Sequence, residues 1–267
     1  MIKGLYTAYT GMANQMNRMD VLTNNLANSA TNGFKKEGAT TQSFDALYGY
    51  RIKDSSAFYL NDRLGKVRLG AKIGENYTDH SQGALRETEN NTDFSIGGAG
   101  FFAIAFTNKA GESSVKYTRD GAFKLTKEGY LVTKDGDYVL NQNGATNSDF
   151  RRNNYIRLDP NLPFTVDTQG NIYQNEQPMG KIGVVDIADY NYLEHYGENM
   201  YQLVEGGRVT PADVEIYQGV LEMSNVNVVS EMVEMITVTR AYESNQKVIQ
   251  TIDETIDKAV NGLGRVG

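Results

Sequence analysis

Two apolar repeats with a period of seven, one at each end of the chain, limit its possible folds more than any other feature. Leu5, Met12, Met19 and Leu26 form one row, and Ile2, Tyr9 and Met16 form its neighbour. At the far end Val228, Met235, Tyr242, Ile249, Ile256 and Leu263 recur without a break. Beside that row Val238, Ile252 and Ala259 are apolar, and Asn245 interrupts them as a polar register mark. Such spacing predicts two amphipathic helices. A sustained repeat of seven keeps one seam facing a partner helix, the pattern of coiled-coil packing. Asn28, Ser29, Thr31, Asn32 and Gly33 signal the end of the first helix. Asn225 or Asn227 can cap the second, Glu231 and Glu234 suit the positive end of its dipole, and Asn261, Gly262 and Gly264 supply its stop. A helix from Asn227 to Asn261 is about 50 Å long at 1.5 Å per residue. It outruns the shorter helix, so a single chain leaves part of its apolar row uncovered.

Between the helices the period changes to two, with turn residues roughly every 8 to 12 positions, the pattern of an antiparallel sheet or barrel. Phe101 to Phe106 reads as a strand, Tyr117 and Thr118 as the end of another, and Asp120-Gly121 as a hairpin turn. Glu128-Gly129 and Asp135-Gly136 punctuate strands at Tyr130 to Thr133 and Tyr138 to Leu140. Residues 141 to 180 read as loops with short strands at Phe164 to Val166 and Ile172 to Tyr173. Val184 to Ile187 is a further strand, and Val209 to Tyr217 leads back to the last helix. The fold class is therefore α+β. Residues 1–30 and 225–267 form a helical, coiled-coil-like domain, 31–75 an extended connector and 76–224 a β-rich domain.

Composition removes several functions. The formal charge is −7 and no basic stripe appears, which argues against a nucleic-acid surface. No run of about 18 apolar residues is present to span a bilayer. The opening MIKGLYTAYT has neither a continuous apolar core nor a small-residue cleavage pattern, so a cleaved signal peptide is not expected. Cysteine is absent, which removes disulfides, thiolate nucleophiles and cysteine metal ligands. The only histidines, His80 and His195, show no metal or triad spacing. Gly98-Ala99-Gly100-Phe101-Phe102-Ala103 fits the letters of a dinucleotide fingerprint, but a strand follows where a helix N-terminus is needed. Glu87 with Glu89, and Asp253 with Glu254 and Asp257, read as solvated faces. No catalytic residue, cofactor or metal is expected. The tyrosine-rich aromatic content suits subunit interfaces better than a ligand platform.

The residues also resemble a known family. Leu22-Thr23-Asn24-Asn25-Leu26-Ala27-Asn28, followed by Ser29-Ala30-Thr31-Asn32-Gly33-Phe34-Lys35-Lys36, is similar to the N-terminal signature of the flagellar rod, hook and hook-associated axial proteins. Gln218 to Val229, with Arg240-Ala241-Tyr242-Glu243-Ser244-Asn245, resembles their C-terminal signature. Ser81-Gln82-Gly83, Gly100-Phe101-Phe102, Tyr117-Thr118-Arg119-Asp120-Gly121 and Gly129-Tyr130-Leu131-Val132 look like their core domain. The resemblance implies a basal-body rod subunit that polymerises with itself as a helical drive shaft transmitting torque from motor to hook. It also implies contacts with other rod proteins, the hook protein and ring proteins, and export through the flagellar type III apparatus. Length and the segment 47–72 are most similar to distal rod subunits, with proximal rod and hook-type members as alternatives. A self-associating adhesin or binding module is the alternative from another class.

The residues expected to carry assembly are Leu5, Tyr9, Met12, Met16, Met19 and Leu26 on the first helix and Val228, Met235, Tyr242, Ile249, Ile256 and Leu263 on the second. Asn24, Asn25 and Asn28, with Asn225 and Asn227 opposite, are expected to satisfy buried backbone groups and fix register.

Overall fold

A computed structural model describes residues 2–45, 47–51, 62–67, 70–108, 111–197 and 199–263. The architecture is α+β: helices α1 (Ile2–Ala27), α2 (Gln142–Asn147) and α3 (Val228–Leu263) accompany many short antiparallel strands. The chain divides into two compact units. One gathers Met1–Ala27, Lys36–Asp79 and Asn227–Gly267, and the other gathers Asn28–Lys35 and His80–Val226.

In the helical unit α1 and α3 run antiparallel. Gly4 faces Ile252, Gly11 faces Asn245, and the Arg18 guanidinium reaches Glu234 at 2.8 Å, so partners descend along α3 as α1 ascends. The first two contacts are seven residues apart on each helix, the step that the repeats dictate. Asn245, the polar residue in the seam, lies 3.2 Å from where a Cβ on Gly11 would stand. A larger residue at position 11 would have to displace it. Ala8, Leu22 and Val238 are buried in this unit.

Of the two cap candidates, Asn227 caps α3: its Oδ1 accepts from the N–H groups of Val229 (3.1 Å) and Ser230 (3.2 Å). The helix runs through Asn261 and Gly262 to Leu263, so those two residues do not stop it, and Gly264 lies outside the described residues. Exposed Asn261 bonds Asp257 one turn back and so fits the helix interior.

The described residues of 31–75, a segment expected as an extended connector, are extended in large part but paired. Strand β1 (Glu37–Ser43) pairs with β4 (Ala71–Thr78), and β2 (Leu47–Arg51) pairs with β3 (Asp62–Val67), both antiparallel. Residues 52–61 and 68–69 of the segment likened to distal rod subunits lie outside the described residues. The β1–β4 ladder packs on α1, where Asn14 donates to Thr41 at 3.2 Å.

The β unit begins with β5 (Leu85–Glu87), β6 (Phe94–Gly97), β7 (Phe101–Thr107), β8 (Ser113–Thr118), β9 (Lys124–Leu125), β10 (Leu131–Val132) and β11 (Tyr138–Val139). It continues with β12 (Phe164–Val166), β13 (Asn171–Gln174), β14 (Gln177–Lys181), β15 (Val184–Ile187), β16 (Leu193–Gly197), β17 (Met200–Leu203), β18 (Val209–Pro211), β19 (Glu215–Gln218) and β20 (Val220–Glu222). Its main sheet orders β16-β17-β8-β7-β11-β10-β9, with β15 joining β7 to β18. Strand β7 is central. Its period of two sends Phe102 into one core with Phe94, Phe123, Leu131 and Ile182, and Phe101, Ala103 and Ala105 into another with Tyr117, Val185 and Tyr201.

Gly129 and Gly136, both at positive φ, close the β9–β10 and β10–β11 hairpins as expected. Asp120-Gly121 does not close a hairpin, because β8 pairs with β7 and β17 and not with the strand that follows it. Gly121 serves a close approach instead: a Cβ there would collide with the backbone oxygen of Phe94. Within 141–180 the structure adds α2, which sequence reading missed. Its cap, Asn141, accepts from the N–H of Gly144 at 2.9 Å.

Candidate assembly interface

Residues of the rows that the repeats defined meet different surroundings. Met12, Met19 and Leu26 of α1, and Met235, Tyr242 and Ile249 of α3, are half-buried. Leu5, Tyr9 and Met16 of α1, with Val228 and Ile256 of α3, are exposed. The Leu263 side chain lies outside the described residues. Sequence reading missed a further exposed row on the first turns of α3: Val229 (70% exposed), Met232, Val233 (59%) and Ile236. The signal was present, since Val228, Val229, Met232, Val233, Met235, Ile236 and Val238 give this part of the helix an apolar face wider than the single seam. A helix of that kind requires partners on more than one face. Burying each such side chain is worth about 1.5 to 3 kcal/mol.

The five asparagines are not brought together. Asn25 is buried, where its Oδ1 accepts from the N–H of Glu37 (2.9 Å) and its Nδ2 donates to the Glu37 carbonyl (2.7 Å) and to Glu231 (3.2 Å). Asn24, its neighbour, is exposed. The Asn28 side chain accepts from Thr31, Asn225 donates to the Ser81 carbonyl, and Asn227 caps α3. Asn25, Asn225 and Asn227 each satisfy backbone groups, and of them Asn25 also bonds across the helix pair, to Glu231 of α3.

Glu231, one helical turn into α3, is fully buried and bonds the Lys36 ammonium at 2.5 Å. That hydrogen bond holds Lys36 above its ordinary range and outweighs the opposing loss of hydration.

In the β unit, residues of three signature stretches form one buried ion cluster. Glu222 accepts from Lys35 at 2.6 Å with one oxygen and from Arg119 at 3.1 Å with the other, and all three side chains are almost wholly buried. The N–H of Gly83 adds a bond to Glu222, Lys35 also donates to the Ser81 carbonyl, and Arg119 donates to the Gly98 carbonyl. Gly33, at positive φ, lets its backbone pass the Arg119 backbone, where a Cβ would come within 2.5 Å. Sequence reading quoted Lys35, Arg119 and Glu222 inside motifs without pairing them, because their separations along the chain carry no local period. The cluster joins the residues after α1 to those before α3 with bonds that are costly to break once buried.

His80 and His195, distant in sequence, both lie with ring centroids 5.5 Å from that of Tyr201. His80 also packs against Phe101 and Tyr190. Tyr138 and Tyr155 stack at 4.5 Å, with Tyr130 edge-on. Tyr190 donates to Asp186 at 2.8 Å; burial, then that bond, push its phenol up to about 12.

Three family models match the chain. One described as flagella basal body rod protein covers residues 5–35, one as flagellar hook protein FlgE/F/G D1 domain covers 95–174, and one as flagellar basal body rod FlgEFG protein C-terminal covers 217–262. The flagellar basal-body rod protein FlgG of Bacillus subtilis is 33% identical over 280 residues, spanning 98% of this chain and 99% of that one. FlgG of Buchnera aphidicola subsp. Acyrthosiphon pisum is 33% identical over 274 residues, spanning 97% and 98%. The flagellar basal-body rod protein FlgF of Caulobacter vibrioides is 33% identical over 263 residues, again spanning 97% and 98%. Two rod-subunit names thus match equally well, which fixes the family and not a position along the rod. With this identity over nearly the whole of each chain, and with both helical ends and the domain between them matched, the chain belongs to the flagellar basal-body rod proteins, a structural and not a catalytic family.

Proposed function

We propose that this rod subunit of the flagellar basal body polymerises by burying the exposed apolar rows of α1 and α3 against neighbouring copies. The helices pack there in coiled-coil fashion as an inner tube, with Leu5, Tyr9, Met16, Val228, Val229, Val233, Ile236 and Ile256 in the contacts. The observation that carries this reading is the set of large apolar side chains left open on helices that already have one partner each. A rod built this way transmits torque through helix-to-helix seams, and its ends are continued by other rod proteins and the hook protein. Contacts with ring proteins belong to the same reading. Among the described residues no helix is long and apolar enough to cross a membrane. The subunit reaches its place as an unfolded chain through the flagellar export apparatus and orders its helices on assembly.

Replacing the native gene by one carrying Val233→Asp and Ile236→Asp tests the proposal. Isolated basal bodies are expected to lack the variant subunit, and the cells to be non-motile, while the purified variant keeps the wild-type unfolding midpoint. Wild-type incorporation and swimming would sink it.

A further inference from the structure

Helix α3 outlasts its partner. With Gly4 of α1 against Ile252 and α1 beginning at Ile2, α3 continues past the start of α1 from about residue 255 to Leu263, roughly 13 Å at 1.5 Å per residue. The seam of Tyr242 and Ile249 runs on through Ile256, so the apolar strip that α1 covers extends into a stretch that α1 does not reach. Val260 beside it is 65% exposed. Near the opposite end of the same helix pair lies an open groove of about 710 Å³. Val229, Val233, Thr237 and Ala241 form one wall, a row at four-residue spacing, and Gln15 and Arg18 of α1 border it. The charges there, Arg18 and Glu234, are already paired.

We infer that this groove takes the overhanging end of α3, from about residue 255 to Leu263, from a second copy of the chain, an inference that rests on the assembly reading above. Three observations select this occupant. The overhang continues an interface that already exists within the chain, so its apolar strip is shaped for a helical partner. The overhang and the exposed turn at its root carry Asp253, Glu254 and Asp257 against the single cation Lys258, so two such ends laid together along their length would set like charges side by side. The groove, with its charges paired, adds no such repulsion. Groove and overhang also lie toward opposite ends of one antiparallel pair, so their contact joins unlike surfaces. Repetition of a contact between unlike surfaces yields an open helical filament unless its rotation closes a ring.

The chain has no cysteine, which makes the contact accessible to site-directed cross-linking. In basal bodies from cells that make Val233→Cys and Val260→Cys subunits together, mild oxidation is expected to link one variant to the other, and neither alone is expected to form a pair. Self-linked Val260→Cys would mean tip-to-tip contact and would overturn the inference. Basal bodies that hold both variants unlinked would overturn it too, while leaving the rod reading intact. On the unsubstituted protein, amide exchange across 255–263 should be slow in basal bodies and fast in the soluble chain. Equal exchange contradicts the groove contact even if cysteine variants fail to incorporate, and a wild-type chain absent from basal bodies brings down both readings.

Discussion

Strand β7 and the first turns of α3 are both rich in large apolar residues, yet they end in opposite states. Phe101 to Ala105 of β7 are buried on both faces, because neighbouring strands and two separate sets of side chains cover them. Val228 to Ile236 of α3 have α1 on one side and leave Val229, Met232, Val233 and Ile236 open. A strand inside a sheet meets neighbours along its edges and layers on its faces, so one chain can close it. A helix with two apolar faces and one partner cannot be closed by its own chain. Among the described residues the β unit closes its apolar runs within itself, and on the assembly reading proposed above the helical unit completes its burial against further copies.

The contrast can be broken most forcefully in the β unit. Phe102→Ala removes a fully buried ring and should cost about 3 to 5 kcal/mol, and Glu222→Ala strands two buried cations at a similar cost of about 3 to 5 kcal/mol. Both are read from the denaturant midpoint followed by near-ultraviolet circular dichroism. If either were silent, the β unit would not be the closed core described. Asn227→Ala removes the cap of α3 and should cost about 1 kcal/mol, seen as earlier loss of helical signal. Val233→Ala should shift soluble-chain stability by no more than about 0.5 kcal/mol while weakening assembly measured by sedimentation. A large loss of soluble-chain stability would mean that the row is buried within the chain after all.

The smallest effect concerns Tyr190. Its phenol, pushed up to about 12 by burial and by the bond to Asp186, keeps its proton in the folded state. The resulting stability is complete below the ordinary phenol value of about 10 and disappears as pH rises through about 12. Asp186→Asn should lower that titration, visible as earlier phenolate absorbance in an alkaline difference spectrum. An unchanged titration would show that burial alone holds the phenol.

Much of this was legible in sequence where the pattern is local. The seven-residue rows located α1 and α3, and Asp135-Gly136 and Val184 to Ile187 located a hairpin and a strand, because each signal lies within a few residues of the structure it specifies. The pairing of β1 with β4 was not legible, since Glu37 and Thr78 meet across a long separation with no periodic trace. The Lys35–Glu222–Arg119 cluster escaped for the same reason. Asp120-Gly121 misled because the glycine that suits a hairpin also suits a close backbone approach, and only the position of Phe94 distinguishes the two. The assembly rows were found in part: periodicity chose the seam that α1 shares, whereas Val229 and Val233 lie beside that seam on a face no single repeat singles out.

The most direct test is the accessibility of one side chain in two states. A Val233→Cys chain, otherwise free of cysteine, is exposed to a maleimide as soluble protein and again in isolated basal bodies, with Lys127→Cys on the exposed surface of the β unit as reference. Position 233 should label as fast as the reference in the soluble chain and be protected relative to it in basal bodies. Labelling at 233 that is unchanged between the two states would contradict the claim that these helices complete their burial on assembly.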